Sequence, residues 1–546
     1  MKRLLPLVLL CCFISNITAQ NPCRPADERL SVNELNTTVN PLYLWWDGND
    51  GQFNYPNTAP TSMVFSGGLW LTALRQNGDK VCSVTSYGAA SNDFDYQTGP
   101  VGTGGSFTSS TYFCRSFKVT KNQVGAHLAD LADGTLDQPI AEIMDWPGKD
   151  NARMPASAFG RDLAPFVDAN GDGVYQPESG DYPDFRADEA VWWVTNDFGP
   201  HLESVSGPLE AEVQVLAQAY TADNHPASKA QLYSVKVINQ GLEPLDSLAL
   251  SLWVDPDVGC FTDDAIGSIP SRNALYAYNI DPVDGTNGAL CDLGIPTYGQ
   301  EPPMIFFQTL SSRLNGDAGL VRNSGMYLSN GSLGGIPQTT GPNHRGEYFD
   351  VTHARWLDGL PLTLGGEGYN GTIPTNWVFS GMEVDNVPWL QCQDSRAQDK
   401  RLLLNVNLKE VFNPRDEFEV DFLVSIVPAP ITYPCPDLGA AVMTLDSITD
   451  YVQNTVVSSN QTPRAVYKSL SLKPNPTSAV FSISIGEGQS ALQSATLFDG
   501  LGRVVEQYGA STLTRTIDVA HLPRGVYSLI ARDASGEMYQ SRVVLQ

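Results

Sequence analysis

The chain has little positive charge, few histidines and almost no long apolar run, and each shortage closes off a class of function. Lys and Arg together number 33 against 60 Asp and Glu, for a formal net charge of -27. A surface so acidic repels nucleic acid and anionic surfaces within a Debye length, which excludes nucleic acid as a partner and favours divalent cations. Six histidines (His127, His201, His225, His344, His353 and His521) are scattered with no HExxH pair among them. No serine sits in a GxSxG elbow, and no Gly-rich phosphate loop opens a helix. No two cysteines have the CxxC spacing of a zinc pair. No repeat of fixed period runs through the body, and beyond the first residues no stretch approaches the length of a transmembrane helix.

What is present speaks for export. Lys2 and Arg3 precede a continuous apolar run from Leu4 to Ile14, and Thr18-Ala19-Gln20 follows after polar residues. This is the layout of a secretory signal peptide over residues 1–19, with cleavage after Ala19. Leu10 stands where a lipoprotein signal needs a small residue before cysteine. The mature chain then carries a charge of -29 and seven cysteines: Cys23, Cys82, Cys114, Cys260, Cys291, Cys392 and Cys435. In an oxidising compartment these read as disulfides. Nearness pairs Cys260 with Cys291 and Cys392 with Cys435, while one of Cys23, Cys82 and Cys114 is left free or bonds elsewhere.

The 48 Gly and 37 Pro, with only 17% charged residues, fit a turn-rich, mainly β protein. The runs EVQVLAQAY, QLYSVKVINQG and SLALSLWVDPD, from Glu212, Gln231 and Ser247, read as consecutive strands of a meander. LLLNVNLKEVF from Leu402 and FEVDFLVSIV from Phe418 read as another strand pair. Asp437 caps a helical pattern in which Leu438, Val442, Leu445 and Ile448 recur, ending near Gln453. The expected architecture is one large or two fused β-sandwich domains. Residues 20–220 form a β-rich first part and 221–455 a second part with the late helix, divided at the polar loop Thr221–Ser228. A linker at 456–468 and a small immunoglobulin-like sandwich at 469–546 follow.

The best candidate for chemistry is DANGDGVYQPESGDYPD, from Asp168 to Asp184. Asp168, Asn170 and Asp172 alternate along a tight loop in which Gly173 permits a sharp turn. Their oxygens, with the Val174 carbonyl, can converge on a Ca²⁺ ion, and Glu178 or Asp181 can close the shell. Prolines at 165, 177 and 183 forbid the flanking helices of an EF-hand. The ion's role is structural; a metal-free Asx-rich turn is the competing reading. A second acidic stretch holds Asp255, Asp257, Asp263 and Asp264, for which calcium and a solvated loop are equal readings. DGNDG at 47–51 reads as a polar hairpin loop. His201 and Glu203 alternate after Asp197 and read as a satisfied surface patch. Ten tryptophans offer stacking surfaces for sugars, although one of each pair Trp45-Trp46 and Trp192-Trp193 belongs to the core.

The last stretch carries the most specific signal. Phe481, Ile483 and Ile485 alternate with Ser482 and Ser484, as in a half-buried strand, and Gly500 and Gly502 fit a hairpin loop. KPNPT, the apolar strand after it, FDGLGR, LPRGVYSL and the tail SRVVLQ occur in an order and spacing that resemble the C-terminal sorting domain (type A) of proteins exported by the type IX secretion system of Bacteroidota. Ala479 departs from the glycine usual in that family. The resemblance implies export across the periplasm to the cell surface or the medium, the type IX machinery as partner through residues 469–546, and removal of the domain by a cut in the linker. WWDGNDG, FSGGLW, WWVTNDFGPH and WVDPDVG, together with the loop at Asp168, resemble large secreted or surface proteins of Bacteroidota that carry the same domain, with no activity implied. The expected function is a non-catalytic structural, adhesive or ligand-binding β protein with calcium-ordered loops and a glycan or protein ligand. A secreted polysaccharide- or protein-degrading hydrolase on a β scaffold is the alternative.

Overall fold

Eleven strands make the frame of the body: β1 (Val64–Arg75), β2 (Glu189–Asn196), β3 (Ala211–Ala219), β4 (Ala230–Asn239), β5 (Leu245–Pro256), β6 (Asp264–Ile269), β7 (Ala274–Asn279), β8 (Met304–Leu314), β9 (Val321–Ser329), β10 (Lys400–Leu408) and β11 (Glu417–Val427). Two helices join them, α1 (Arg345–Thr352) and α2 (Gly439–Asn454). The structure is a computed structural model that describes residues 23–46, 53–91, 93–101, 111–285, 294–331, 336–394, 399–429, 432–454, 467–484, 491–498, 504–513, 516–533 and 538–546. The expected signal peptide, the DGNDG loop, Gly500 and Gly502, and nearly all of the expected linker lie outside these residues. The chain divides into two compact units, Met1–Val457 and Ser458–Gln546.

In the body, β6-β7-β8-β11-β4-β3-β2 form one antiparallel sheet, extended at β2 by the short strands Gln97–Thr98 and Phe117–Thr120. β9-β10-β5-β1 form a second antiparallel sheet, with Trp45–Trp46 at its edge. One apolar core joins the inner faces: Val213, Val215, Val235 and Val420 from the first sheet, and Leu71, Leu250, Leu252 and Leu404 from the second. This is a β-sandwich, mainly β as the composition indicates. Both outer faces are also covered, so most central-strand positions are buried instead of alternating with water-facing ones. On the first sheet, Trp192 packs with Trp146, Tyr175 and Phe117 from the long segment before β2, while its neighbour Trp193 points into the sandwich. α2 buries Ala441, Leu445, Ile448 and Val452 beside Leu232, Tyr276 and Phe306. Its start is capped as expected, with the Gly439 N–H donating to Asp437 Oδ1 at 3.0 Å. On the second sheet, Trp70 stacks on Trp253 with centroids 5.9 Å apart and meets Tyr348 of α1 edge-on.

Two pairings differ from the expected meander. β3 and β4 are hydrogen-bonded neighbours, but β4 and β5 belong to opposite sheets, and so do β10 and β11. Each connection turns a corner of the sandwich, 240–244 through Gly241 and Pro244, and 409–416 through Arg415 at φ 73°. Hydrophobic alternation tells which face is buried and not which sheet a strand joins, so each corner carries the sequence pattern of a hairpin.

The C-terminal unit is a small sandwich. Tyr467–Ser469, Met538–Leu545, Gly525–Asp533, Leu492–Phe498 and Val504–Gly509 form one sheet, and Ser471–Lys473, Val480–Ser484 and Ile517–Asp518 the other. Phe481 is fully buried and Ser482 exposed, as the period-two pattern requires. Its core contains Phe481, Leu497, Leu529 and Val543.

Disulfides join Cys392 to Cys435, as expected, and Cys23 to Cys114, which leaves Cys82 as a buried free thiol. Cys260 is disulfide-bonded; its expected partner Cys291 lies outside the described residues.

Candidate functional site

The loop at Asp168 lies between two short paired strands, Phe166–Val167 and Tyr182–Pro183, which bring its ends together. Gly171 and Gly173 take φ of 77° and 78°, a region side-chain-bearing residues avoid, and this bends the chain around Asp168. Asp168 Oδ1 accepts from the Gly171 N–H at 2.7 Å, and its Oδ2 from the Gly173 N–H at 2.7 Å. Asn170 Nδ2 donates to Asp172 Oδ2 at 3.0 Å, and Asp172 Oδ1 accepts from the Val174 N–H at 2.8 Å. Asp181 is the anchor. Fully buried, it accepts from the Ala169 N–H and from the Gln176 N–H, each at 2.8 Å. Burial pushes its carboxyl up, these two N–H groups oppose that, and the negative charges of Asp168 and Asp172 add to the rise. Thus Asp168, Asn170, Asp172, Val174 and Asp181 are gathered in one compact loop. Glu178 stands exposed on the turn Pro177–Ser179. The oxygens of this loop are hard donors, the set that suits calcium. In the structure their hydrogen bonds go to the loop's own backbone and to the Asn170 amide.

His201 does not lie on a surface. Its ring is enclosed, with Nδ1 2.8 Å from the Cys82 carbonyl and Nε2 2.9 Å from the Asp197 carbonyl. The carboxylates of Asp95 and Asp197 each come within 3.7 Å of the ring. Asp197 also accepts from the Ala211 N–H and the Ser83 hydroxyl, and Asp95 from the Val84 and Glu203 N–H groups. The reading of residues 197–203 as a surface patch is corrected: this is a buried polar hub that fixes loop backbones. Glu203 accepts from the Ser86 N–H at 3.0 Å, and burial pushes its carboxyl up to about 7.

A concave surface beside α2 is lined by His225, Asp446, Ser447, Asp450 and Tyr451. Ser447 Oγ is 3.2 Å from His225 Nε2, a spacing that resembles a nucleophile and base. His225 Nδ1, however, accepts from the Ala227 N–H at 3.1 Å. The neutral ring therefore carries its proton on Nε2 and donates to Ser447, so it cannot remove that hydroxyl's proton. The tryptophans are equally committed to structure. Nine are buried and Trp46 is half-buried, which leaves the core, not stacking on sugars, as their visible use.

The second acidic stretch is likewise not a solvated loop. Asp255, Asp263 and Asp264 are each at most 4% exposed. No local signal marks this: Asp255 lies opposite Ser66 of β1, and Asp264 opposite Asn279 of β7.

Compared with known proteins, residues 471–546 match the family described as the secretion system C-terminal sorting domain. This domain directs export to the cell surface or the medium through the type IX machinery. No curated protein matches the chain. A solved structure titled Polysaccharide Lyase BACCELL_00875 aligns at 9% identity over 61% of this chain, with a TM-score of 0.19. The chain spans 34% of that structure's length, and a similarity this low carries no argument about the body. Among the described residues, no helix is long and apolar enough to cross a membrane.

Proposed function

We propose that the body is a non-catalytic cargo, carried to the surface by the sorting domain to act there as a binding or structural β protein. The observation that supports this is the use made of its reactive side chains. His201, Asp197 and Asp95 hold backbone, His225 donates to Ser447, and Asp181 ties the ends of a loop. A catalytic site instead needs such groups turned toward a shared space for substrate. Calcium bound by Asp168, Asn170, Asp172 and the Val174 carbonyl, with Asp181 or Glu178 completing the shell, keeps the long loop ordered once the protein is outside. Extracellular calcium is commonly in the range of about 10⁻³ M, so modest affinity suffices.

The test is an array of glycans and surface proteins probed with the full exported chain in calcium, followed by analysis of every bound ligand. Binding with the ligand recovered intact is the expected result. Shortened glycan or cleaved protein would overturn the reading in favour of a hydrolase.

A further inference from the structure

At the end of β5 the sandwich gathers more carboxylates than the described bases beside them can neutralise. Antiparallel pairing sets Val254 opposite Leu402, so Asp255 and Asp257 at the end of β5 arrive beside Asp399 at the start of β10. One oxygen from each of Asp255, Asp257 and Asp399 lies within 4.8 Å of the others. Two oxygens that bind one Ca²⁺ at about 2.4 Å can stand at most about 4.8 Å apart, so this spacing is what a shared cation requires.

Arg401 does not account for the cluster. Its Nε is 3.5 Å from Asp255 Oδ1 and its Nη2 is 3.6 Å from Asp399 Oδ2, while the Nε hydrogen goes to the Tyr87 hydroxyl at 2.6 Å. Among the described residues, Asp255 Oδ1 and Asp399 Oδ1 are buried without a hydrogen-bond donor, and Asp255 as a whole is 4% exposed. A fourth carboxylate adds to the imbalance. Asp264, also 4% exposed, takes the Val258 N–H on Oδ2 at 2.8 Å and has no donor on Oδ1. A buried acceptor with no donor is costly, and several ionised ones side by side are more so. Half-buried Asp257 is the open side, through which an ion can enter. The nearby trio Cys260, Asp263 and Asp284 is a poorer choice, since Cys260 is disulfide-bonded and offers no thiolate.

We infer that Asp255, Asp257 and Asp399 bind a hard divalent cation, calcium in the extracellular setting, which fastens the corner where the chain leaves β5 for the opposite sheet. This centre is separate from the loop at Asp168 and does not depend on it. All its side-chain donors are oxygens, which selects calcium or magnesium over zinc.

The experiment uses the full chain, stripped with chelator and titrated with calcium by calorimetry and with Tb³⁺ by luminescence excited through tyrosine. Tyr87 donates to Asp255, which places a sensitiser at this centre. Asp257→Asn should weaken the sensitised Tb³⁺ site at least tenfold, whereas Asp172→Asn should leave it unchanged. The melting temperatures should cross. In chelator Asp257→Asn melts above the parent, because a repelling charge is gone; in calcium the parent melts higher. Asp399→Asn provides the same readings if Asp257→Asn yields no folded protein. A parent whose melting ignores calcium and whose Tb³⁺ emission matches that of both Asn variants would overturn the inference. So would loss of the site in Asp172→Asn alone, which would assign the cation to the Asp168 loop.

Discussion

Replacing Asp181 with alanine should loosen the loop at Asp168 far more than replacing any of its exposed acids. The Asp181 carboxylate is fully buried and takes the N–H of Ala169 with one oxygen and that of Gln176 with the other. Alanine leaves both donors without a partner. At about 1–3 kcal/mol for each buried group left unsatisfied, two such donors set an upper range of about 2–6 kcal/mol. Asp181→Asn keeps one accepting oxygen and should cost about half as much. Asp172→Ala, at an exposed position, gives up the Val174 N–H and the Asn170 amide, groups that water can replace, so in chelator it should cost under about 1 kcal/mol. Urea unfolding followed by the fluorescence of Trp146, which shares a core cluster with Tyr175, reports on this region, and limited proteolysis locates the opening between residues 168 and 181. In calcium each filled site should add about 1.4 kcal/mol per tenfold rise in concentration above its dissociation constant, and Asp172→Ala should lose the share that belongs to the Asp168 loop. The reasoning fails if Asp181→Ala is no worse than Asp172→Ala in chelator. The calcium assignment fails if the parent unfolds identically with calcium and with chelator.

Three further outcomes follow from other sites. His201→Ala empties an enclosed ring position and takes the ring's hydrogen bonds from the Cys82 and Asp197 carbonyls, and should cost about 2–4 kcal/mol in chemical unfolding, with His201→Gln recovering part of it. Glu203 keeps its proton to about pH 7 when folded but releases it near 4.5 when unfolded, so its stabilising proton is lost, and the burial penalty appears, as pH rises from 4.5 through 7. Glu203→Gln should therefore match the parent at pH 4.5 and exceed it at pH 8 by about 2 kcal/mol, the full shift being discounted because the side chain is half-buried; a gap independent of pH would contradict this. Gly67→Ala would set a Cβ 2.1 Å from Trp45 Cε3, inside the core, and should cost about 1–3 kcal/mol in thermal unfolding.

The parts of this protein legible in its sequence are those whose signal is local. Phe481 and Ser482 alternate because one face of that strand is covered and the other is wet, and Leu445 and Ile448 recur because one face of α2 is buried. Cys392 and Cys435 lie near one another in the chain and pair. The features that are not legible depend on distant residues. β10 and β11 each look like half of a hairpin, yet the chain between them turns from one sheet to the other. Trp192 and Trp193 are both buried because a segment with little regular structure covers the outer face. His201 resembles a surface residue until β1 and the strand Lys80–Ser83 bring Cys82 and Ser83 beside it. Asp399 has no local mark at all, and only the register of β5 with β10 carries it to Asp255.

The central claim is that the C-terminal unit is an address and the body its cargo. Fractionating cells that express the full chain or a chain ending at Val457, where the first compact unit ends, tests it most directly. The account predicts the full chain at the surface or in the medium and the shortened chain folded but retained in the periplasm. Equal delivery of the two would contradict it.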